Sequence, residues 1–115
     1  MLQKVNLLNA ANAVPGLYQY EKVGRLNGHV LSVVQVENRT LDFHVHEGSD
    51  ELFMVLEGGF TLETEEGGLR LQAGEMVIVP RGMRHRPVVG ELAKFLMIEL
   101  EGTLNKQNSG ALYED

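Results

Sequence analysis

The sequence predicts an all-β fold: a sandwich or barrel of short strands in a single domain. Three observations carry this expectation. Short runs rich in Val, Leu, Phe and Met recur along most of the chain with turn formers between them. Two dipeptides, Asn27-Gly28 and Gly67-Gly68, fall between such runs where tight hairpin turns belong. The length, 115 residues with 43% apolar content, suffices for one buried core and leaves no room for a second folded unit.

Taken in order, residues 1–16 form an N-terminal arm with room for one short helical turn before Pro15-Gly16 ends it. Strands are expected near Tyr18 to Val23, His29 to Val36, Leu41 to His46, Glu51 to Leu56, Phe60 to Glu65, Leu69 to Gln72, Met76 to Val79, Arg84 to Val89 and Leu92 to Leu100. They make up a domain over residues 17–100. Residues 101–115 are polar and rich in Gly and Asn, the composition of an extended tail. There is no internal repeat and no low-complexity tract.

Charge and composition exclude several classes of function. A formal charge of −6 and a pI near 5.2, with no long Lys/Arg run, argue against nucleic acid and anionic membrane surfaces as partners. Arg81, Arg84 and Arg86 form the one basic cluster, and a solvated face explains it better than steering of an anionic substrate. The absence of cysteine rules out disulfides and thiolate chemistry, and no window reaches the roughly 20 apolar residues of a spanning helix. The first residues lack the core of a signal peptide, so the cytoplasm is the expected compartment.

The chemistry is concentrated in the histidines. His44 and His46 are two apart, so on a strand they point the same way. Glu47-Gly48-Ser49-Asp50 is a run of turn formers, after which Glu51 opens a new apolar run. If that turn closes a hairpin, Glu51 lies nearly opposite His46 and shares its face, whereas Asp50 has the wrong parity. His85 lies on a return strand after Pro80-Arg81-Gly82 and would need long-range pairing to join them. Three imidazoles and one carboxylate suit a borderline divalent ion and leave coordination positions free. His44, His46, Glu51 and His85 are therefore the expected ligands of one divalent transition metal (iron, manganese, nickel or zinc). His29 belongs to no such spacing and is given no role.

These residues also follow a family pattern. The stretch from His44 to Gly58, H-V-H-E-G-S-D-E-L-F-M-V-L-E-G, resembles the first conserved motif of the cupin superfamily. The stretch from Gly74 to His85, G-E-M-V-I-V-P-R-G-M-R-H, resembles the second. The chain is similar to small single-domain bacterial cupins. The resemblance implies a double-stranded β-helix, or jelly-roll, barrel. Two positions depart from the pattern: Asn38 replaces the glycine that usually opens the first motif, and Val89 replaces the asparagine that usually closes the second. Asn tolerates positive φ, which makes the first exchange conservative in backbone terms.

Alternation then sorts the pocket from the outside. Phe53 and Val55 share the face of Glu51 and are expected to line a mainly apolar cavity, while Tyr18 and Tyr20 either line its mouth or pack. Phe43, Val45, Leu52, Met54 and Leu56 fall on the other face, which needs a second sheet or a second subunit to cover it. That two-sided hydrophobicity and the resemblance together imply a homodimer. Similar ligand sets in cupins serve dioxygenases, oxalate-degrading enzymes and sugar-phosphate isomerases. The expected function is a mononuclear metalloenzyme, dioxygenase-like, acting on a small organic molecule. A metal-dependent isomerase and a non-catalytic binding or sensing module with a structural metal are the alternatives. No second carboxylate or lysine is expected near the ligands to act as a general base.

Overall fold

The computed structural model describes residues 2–103. One helix and nine strands follow in the order α1 (Leu7–Asn12), β1 (Glu21–Leu26), β2 (His29–Val36), β3 (Arg39–Thr40), β4 (Glu51–Glu57), β5 (Gly59–Thr64), β6 (Gly67–Gln72), β7 (Met76–Val79), β8 (His85–Val89) and β9 (Ala93–Leu100). The strands form two antiparallel sheets, ordered β1-β2-β9-β4-β7 and β3-β8-β5-β6. This is the jelly-roll barrel, two sheets wrapped around one core. No helix among the described residues is long and apolar enough to cross a membrane.

Local chemistry explains most of the turns. Asn27 and Gly28 have φ of 50° and 83°, so β1 and β2 are joined by the two-residue turn that needs positive φ at both positions. Asn38 also sits at φ 50°, the left-handed backbone expected where the family pattern places glycine. Gly58 (φ 74°) makes the corner at which the chain leaves β4 for β5 in the other sheet; a Cβ there would collide with the carbonyl oxygen of Leu92. Gly67-Gly68 is not a turn, however. The turn is Glu65-Glu66, with the Thr64 hydroxyl accepting the Glu66 N–H at 3.1 Å, and both glycines open β6. Cross-strand packing explains the shift, because this register places buried Phe60 opposite buried Leu71.

The core lies between the sheets. Alternation puts Val34 and Val36 of β2, Phe53 and Val55 of β4, Phe60 and Leu62 of β5, and Phe95 and Met97 of β9 on inward faces, all buried. The rings of Phe53, Phe60 and Phe95 stand 5.1–5.8 Å apart. Tyr18 is buried with them, so it packs, and Tyr20 lies against the same cluster.

The outer face of the five-stranded sheet is covered partly by the N-terminal arm, a cover the sequence did not single out. Asn6 caps α1, its side-chain oxygen accepting the Asn9 N–H at 2.9 Å, and Pro15 follows the last turn. The helix buries Ala11, and Val14 follows it down, against Val33 and Leu96; Met54 and Leu56 lie beside them, half-buried. Gln35 fixes the arm by donating to the Ala11 carbonyl at 2.8 Å. The expected tail over residues 101–115 falls outside the described residues from 104 onward.

Candidate metal centre

The hairpin expected between His46 and Glu51 does not form. Between residues 41 and 50 the backbone is irregular except for one bridge, His44 to His85. Both edges of β4 are already taken, by β9 and β7, so the segment carrying His44 and His46 has no place beside it. It runs instead along β8 as a continuation of β3. Leu41 N–H donates to Pro87 O, His44 and His85 exchange backbone bonds at 2.9 and 3.0 Å, and Gly82 N–H donates to His46 O at 2.9 Å. Residues 47–50 then cross to the other sheet, where Glu51 begins β4. The candidate ligand group thus assembles from opposite walls of the barrel.

The convergence itself is as expected. Ligand atoms of His44, His46, Glu51 and His85 all lie within 4.8 Å of one another, a group that could hold a metal ion. The three imidazole rings are 4.4–5.6 Å apart between centroids. His46, Glu51 and His85 are buried, at 3%, 1% and 1% exposure, while His44 is half-buried. Asp50 is exposed and ties its loop to the β7–β8 turn by accepting the Arg81 backbone N–H at 2.9 Å.

Hydrogen bonds prepare the imidazoles for a cation. Nδ1 of His44 bonds the carbonyl of Asp42 at 2.9 Å, and Nδ1 of His85 bonds the carbonyl of Met83 at 2.8 Å. A carbonyl only accepts, so in each neutral ring Nδ1 holds the proton and Nε2 presents its lone pair. Nε2 of His85 lies 2.8 Å from Oε1 of Glu51, and Nε2 of His46 lies 3.5 Å from Oε2. Neither ring nitrogen of His46 has a hydrogen-bond partner although both are buried. Such orphaned groups are costly in a core unless something else satisfies them, and a metal ion would satisfy one of the two.

The electrostatics point the same way. Burial pushes the His44 and His46 pKa values below the ordinary imidazole value, and the charge of His85 adds to this in both. For His85, burial is outweighed by the hydrogen bond and charge of Glu51, so its pKa is raised. Burial raises the Glu51 pKa, but the hydrogen bond with His85 and the charges of His46 and His85 override it, leaving a carboxylate well below its usual range.

Glu99 is the residue that strand spacing could have revealed and the motif did not. It is buried at 2% exposure on β9, and it shares the inward parity of Phe95 and Met97. Leu52 pairs with Ile98 and Val30 with Glu99, which sets Glu99 beside Glu51 across β9 and β4. A second carboxylate therefore does stand next to the ligands, contrary to the sequence-based expectation.

Phe53 and Val55 occupy the inward face of β4 as alternation requires. The Phe53 ring lies 6.3 Å from that of His85, and Val55 is one inward position deeper in the core. Space lies elsewhere. A cleft of about 400 Å³ opens beside His46, lined also by Glu47, Gly48, Leu100 and Thr103. A more apolar one of about 340 Å³ lies between β6 and β7, walled by Leu62, Leu69, Val77, Val79, Pro80 and Met83. The arginine cluster is engaged at the surface: Arg81 pairs with Asp50, Arg86 with Glu63, and Arg84 and Arg86 stack on Phe43 at 4.4 and 4.2 Å.

Known proteins match both the sequence and the fold. The family model described as "Cupin domain" matches residues 30–99. The uncharacterised protein YdbB of Bacillus subtilis (strain 168) is 32% identical over 87 residues, covering 75% of this chain and 76% of YdbB. A cupin-2 domain-containing protein from Shewanella frigidimarina superposes with a TM-score of 0.79 at 28% identity, over 84% of this chain and 94% of that one. Protein NMB1881 from Neisseria meningitidis superposes with a TM-score of 0.75 at 26% identity, over 86% and 100%.

Proposed function

The chain belongs to the cupin-domain family, and from that premise we propose that it is a mononuclear metalloenzyme with dioxygenase-like chemistry on a small organic molecule. The observation that supports the reading most is His46, buried with both ring nitrogens unsatisfied among His44, Glu51 and His85. A purely structural polar cluster would satisfy its own groups.

In this reading His44, His46, His85 and Glu51 hold one divalent ion, iron, manganese, nickel or zinc. When bound, the ion supplies Lewis acidity and, if redox-active, electron transfer to dioxygen. The chain's own residues do the rest. The carbonyls of Asp42 and Met83 keep Nε2 of His44 and His85 aimed at the centre. Phe53 and the core behind it exclude water from the inner side, and the cleft beside His46 leaves a way in from solvent. Glu51 is anionic, with Oε1 2.8 Å from Nε2 of His85, so carboxylate and imidazole face the position the ion would take.

Elemental analysis of protein purified without an affinity tag, followed by oxygen uptake with diketones, catechols, flavonols and thiols, tests the proposal. It predicts one equivalent of metal and oxygen consumption on one compound class. Stoichiometric metal without oxygen uptake on any of them would replace the dioxygenase by an isomerase or a binding module; no bound metal would refute the metal centre itself.

We also propose a homodimer through the outer face of the five-stranded sheet. Leu31, Ile98, Leu52 and Ile78 form one apolar row across four strands, with Leu96, Met54 and Met76 in the next. Met76 and Ile78 are 54% and 52% exposed, beyond the cover of α1.

A further inference from the structure

Ser49 buries its side chain, at 2% exposure, in the short segment that crosses from one sheet to the other. That segment, residues 47–50, has a candidate ligand at each end, His46 before it and Glu51 after it. Such a crossing lies outside the ladders, so the bonds it makes to its surroundings decide where its two ends sit. On one side Gly82 N–H donates to His46 O at 2.9 Å, and Arg81 N–H donates to Oδ1 of Asp50 at 2.9 Å. On the other side the tie is Ser49. Its Oγ accepts the Leu100 N–H at 2.9 Å and donates to the Asp50 carbonyl at 2.6 Å, so the hydroxyl serves the backbone as both acceptor and donor.

Strand register explains why a side chain takes this place. β4 pairs with β9 from Leu52 and Ile98 onward, and in that register Leu100 faces residue 50, one position before β4 begins. The Leu100 N–H bonds the Ser49 hydroxyl there, at the point where the chain leaves the five-stranded sheet. The hydroxyl of Thr103 in turn donates to the Leu100 carbonyl at 2.6 Å. Leu100 and Thr103 line the cleft beside His46 together with Glu47 and Gly48, so the Ser49–Leu100 bond also ties the crossing to the far wall of that cleft. Nε2 of His46 and Oε2 of Glu51 lie 3.5 Å apart across the ends of the crossing. On the metal-centre reading above, we propose that Ser49 is a positioning residue of that centre, its hydroxyl pinning the 47–50 crossing to the end of β9 so that His46 and Glu51 keep their separation. Without the hydroxyl, the Leu100 N–H and the Asp50 carbonyl lose this partner, and the crossing shifts by the fractions of an ångström to which ligand geometry is sensitive.

The test uses the whole chain with Co(II) as the probe, read by titration calorimetry and by the visible absorption of the bound ion. Ser49→Ala removes the hydroxyl. Ser49→Thr and Ser49→Val have the same shape and differ only in the hydroxyl, so any crowding is common to both. S49A is expected to bind about 10–100-fold more weakly than the parent, with an altered Co(II) spectrum at saturation, and S49T to bind at least about tenfold more tightly than S49V. Gly58→Ala, which strains the far end of β4, controls for a general loss of stability and is expected to keep the parent affinity and spectrum. Metal-free melting curves identify any variant that fails to fold; if the larger side chains do, S49A against G58A still decides. S49A matching the parent in affinity and spectrum would overturn the proposal. So would S49T and S49V binding alike, because shape rather than the hydrogen bond would then matter, or G58A losing as much as S49A. A parent protein that binds no Co(II) would instead remove the metal-centre reading, and this inference with it.

Discussion

Replacing His46 by leucine should stabilise the metal-free protein and abolish its response to metal. Both ring nitrogens of His46 are buried without a hydrogen-bond partner, and the side chain is only 2% exposed. At pH 8 its lowered pKa leaves the imidazole neutral, so no ion pair with Glu51 is lost. An unsatisfied buried polar group costs about 1–3 kcal/mol, and leucine of similar volume removes that cost. For a domain of this size each kcal/mol moves the melting temperature by about 4 °C, so the metal-free variant should melt about 4–12 °C above the parent. Metal reverses the order. At a free metal concentration about 1,000 times Kd the parent gains about 4.1 kcal/mol, or roughly 16 °C, while the three-ligand variant gains little. Differential scanning calorimetry in EDTA and in excess Mn(II) reads both effects. A variant less stable than the parent in EDTA, or one that rises with metal as the parent does, would refute the argument.

Four further outcomes follow from the same geometry. Metal affinity measured by calorimetry should fall by up to about tenfold for each pH unit below the raised His85 pKa, since that imidazole must lose its proton to bind, and the fall should begin above pH 6.5. In the metal-free protein the stabilising contribution of the His85–Glu51 pair is complete below the ordinary His value of 6.5 and lost as pH rises through the raised one. On the acid side it is present above the ordinary Glu value of 4.5 and lost as pH falls towards the lowered one, so urea midpoints should show it between those limits; His44 and His46, held neutral, offset part of it below 6.5. Gly58→Ala should destabilise by at least about 1–3 kcal/mol in chemical denaturation, because φ of 74° is strained for alanine and the added methyl meets the Leu92 backbone; an unchanged midpoint would contradict this corner. In sedimentation equilibrium at micromolar concentration the parent should be a dimer and the double variant Met76→Lys, Ile78→Lys a monomer, with metal content unchanged; a monomeric parent would dispose of the interface.

The shared side of His44 and His46 and most of the strands were legible in the residue pattern, because both depend on short-range spacing; Glu51 and His85 joined the candidate ligand group through the motif resemblance, and only the fold brings them together. Spacing by two puts His44 and His46 on one side whichever sheet they join, and Asn27-Gly28 dictates its own turn because positive φ is a local property. Alternation also placed Phe53 and Val55 inward. What spacing does not state is which strand lies beside which. The Glu47–Asp50 segment has the composition of a hairpin turn, yet it links two sheets, because β7 and β9 occupy the edges of β4. The same limit displaced the Gly67-Gly68 turn, where the pairing of Phe60 with Leu71 outweighed the local preference of glycine. It also hid Glu99, whose inward parity was legible on β9 but whose neighbour was not: only the register between β9 and β4 brings it to Glu51, and register is decided by side chains far apart in the chain.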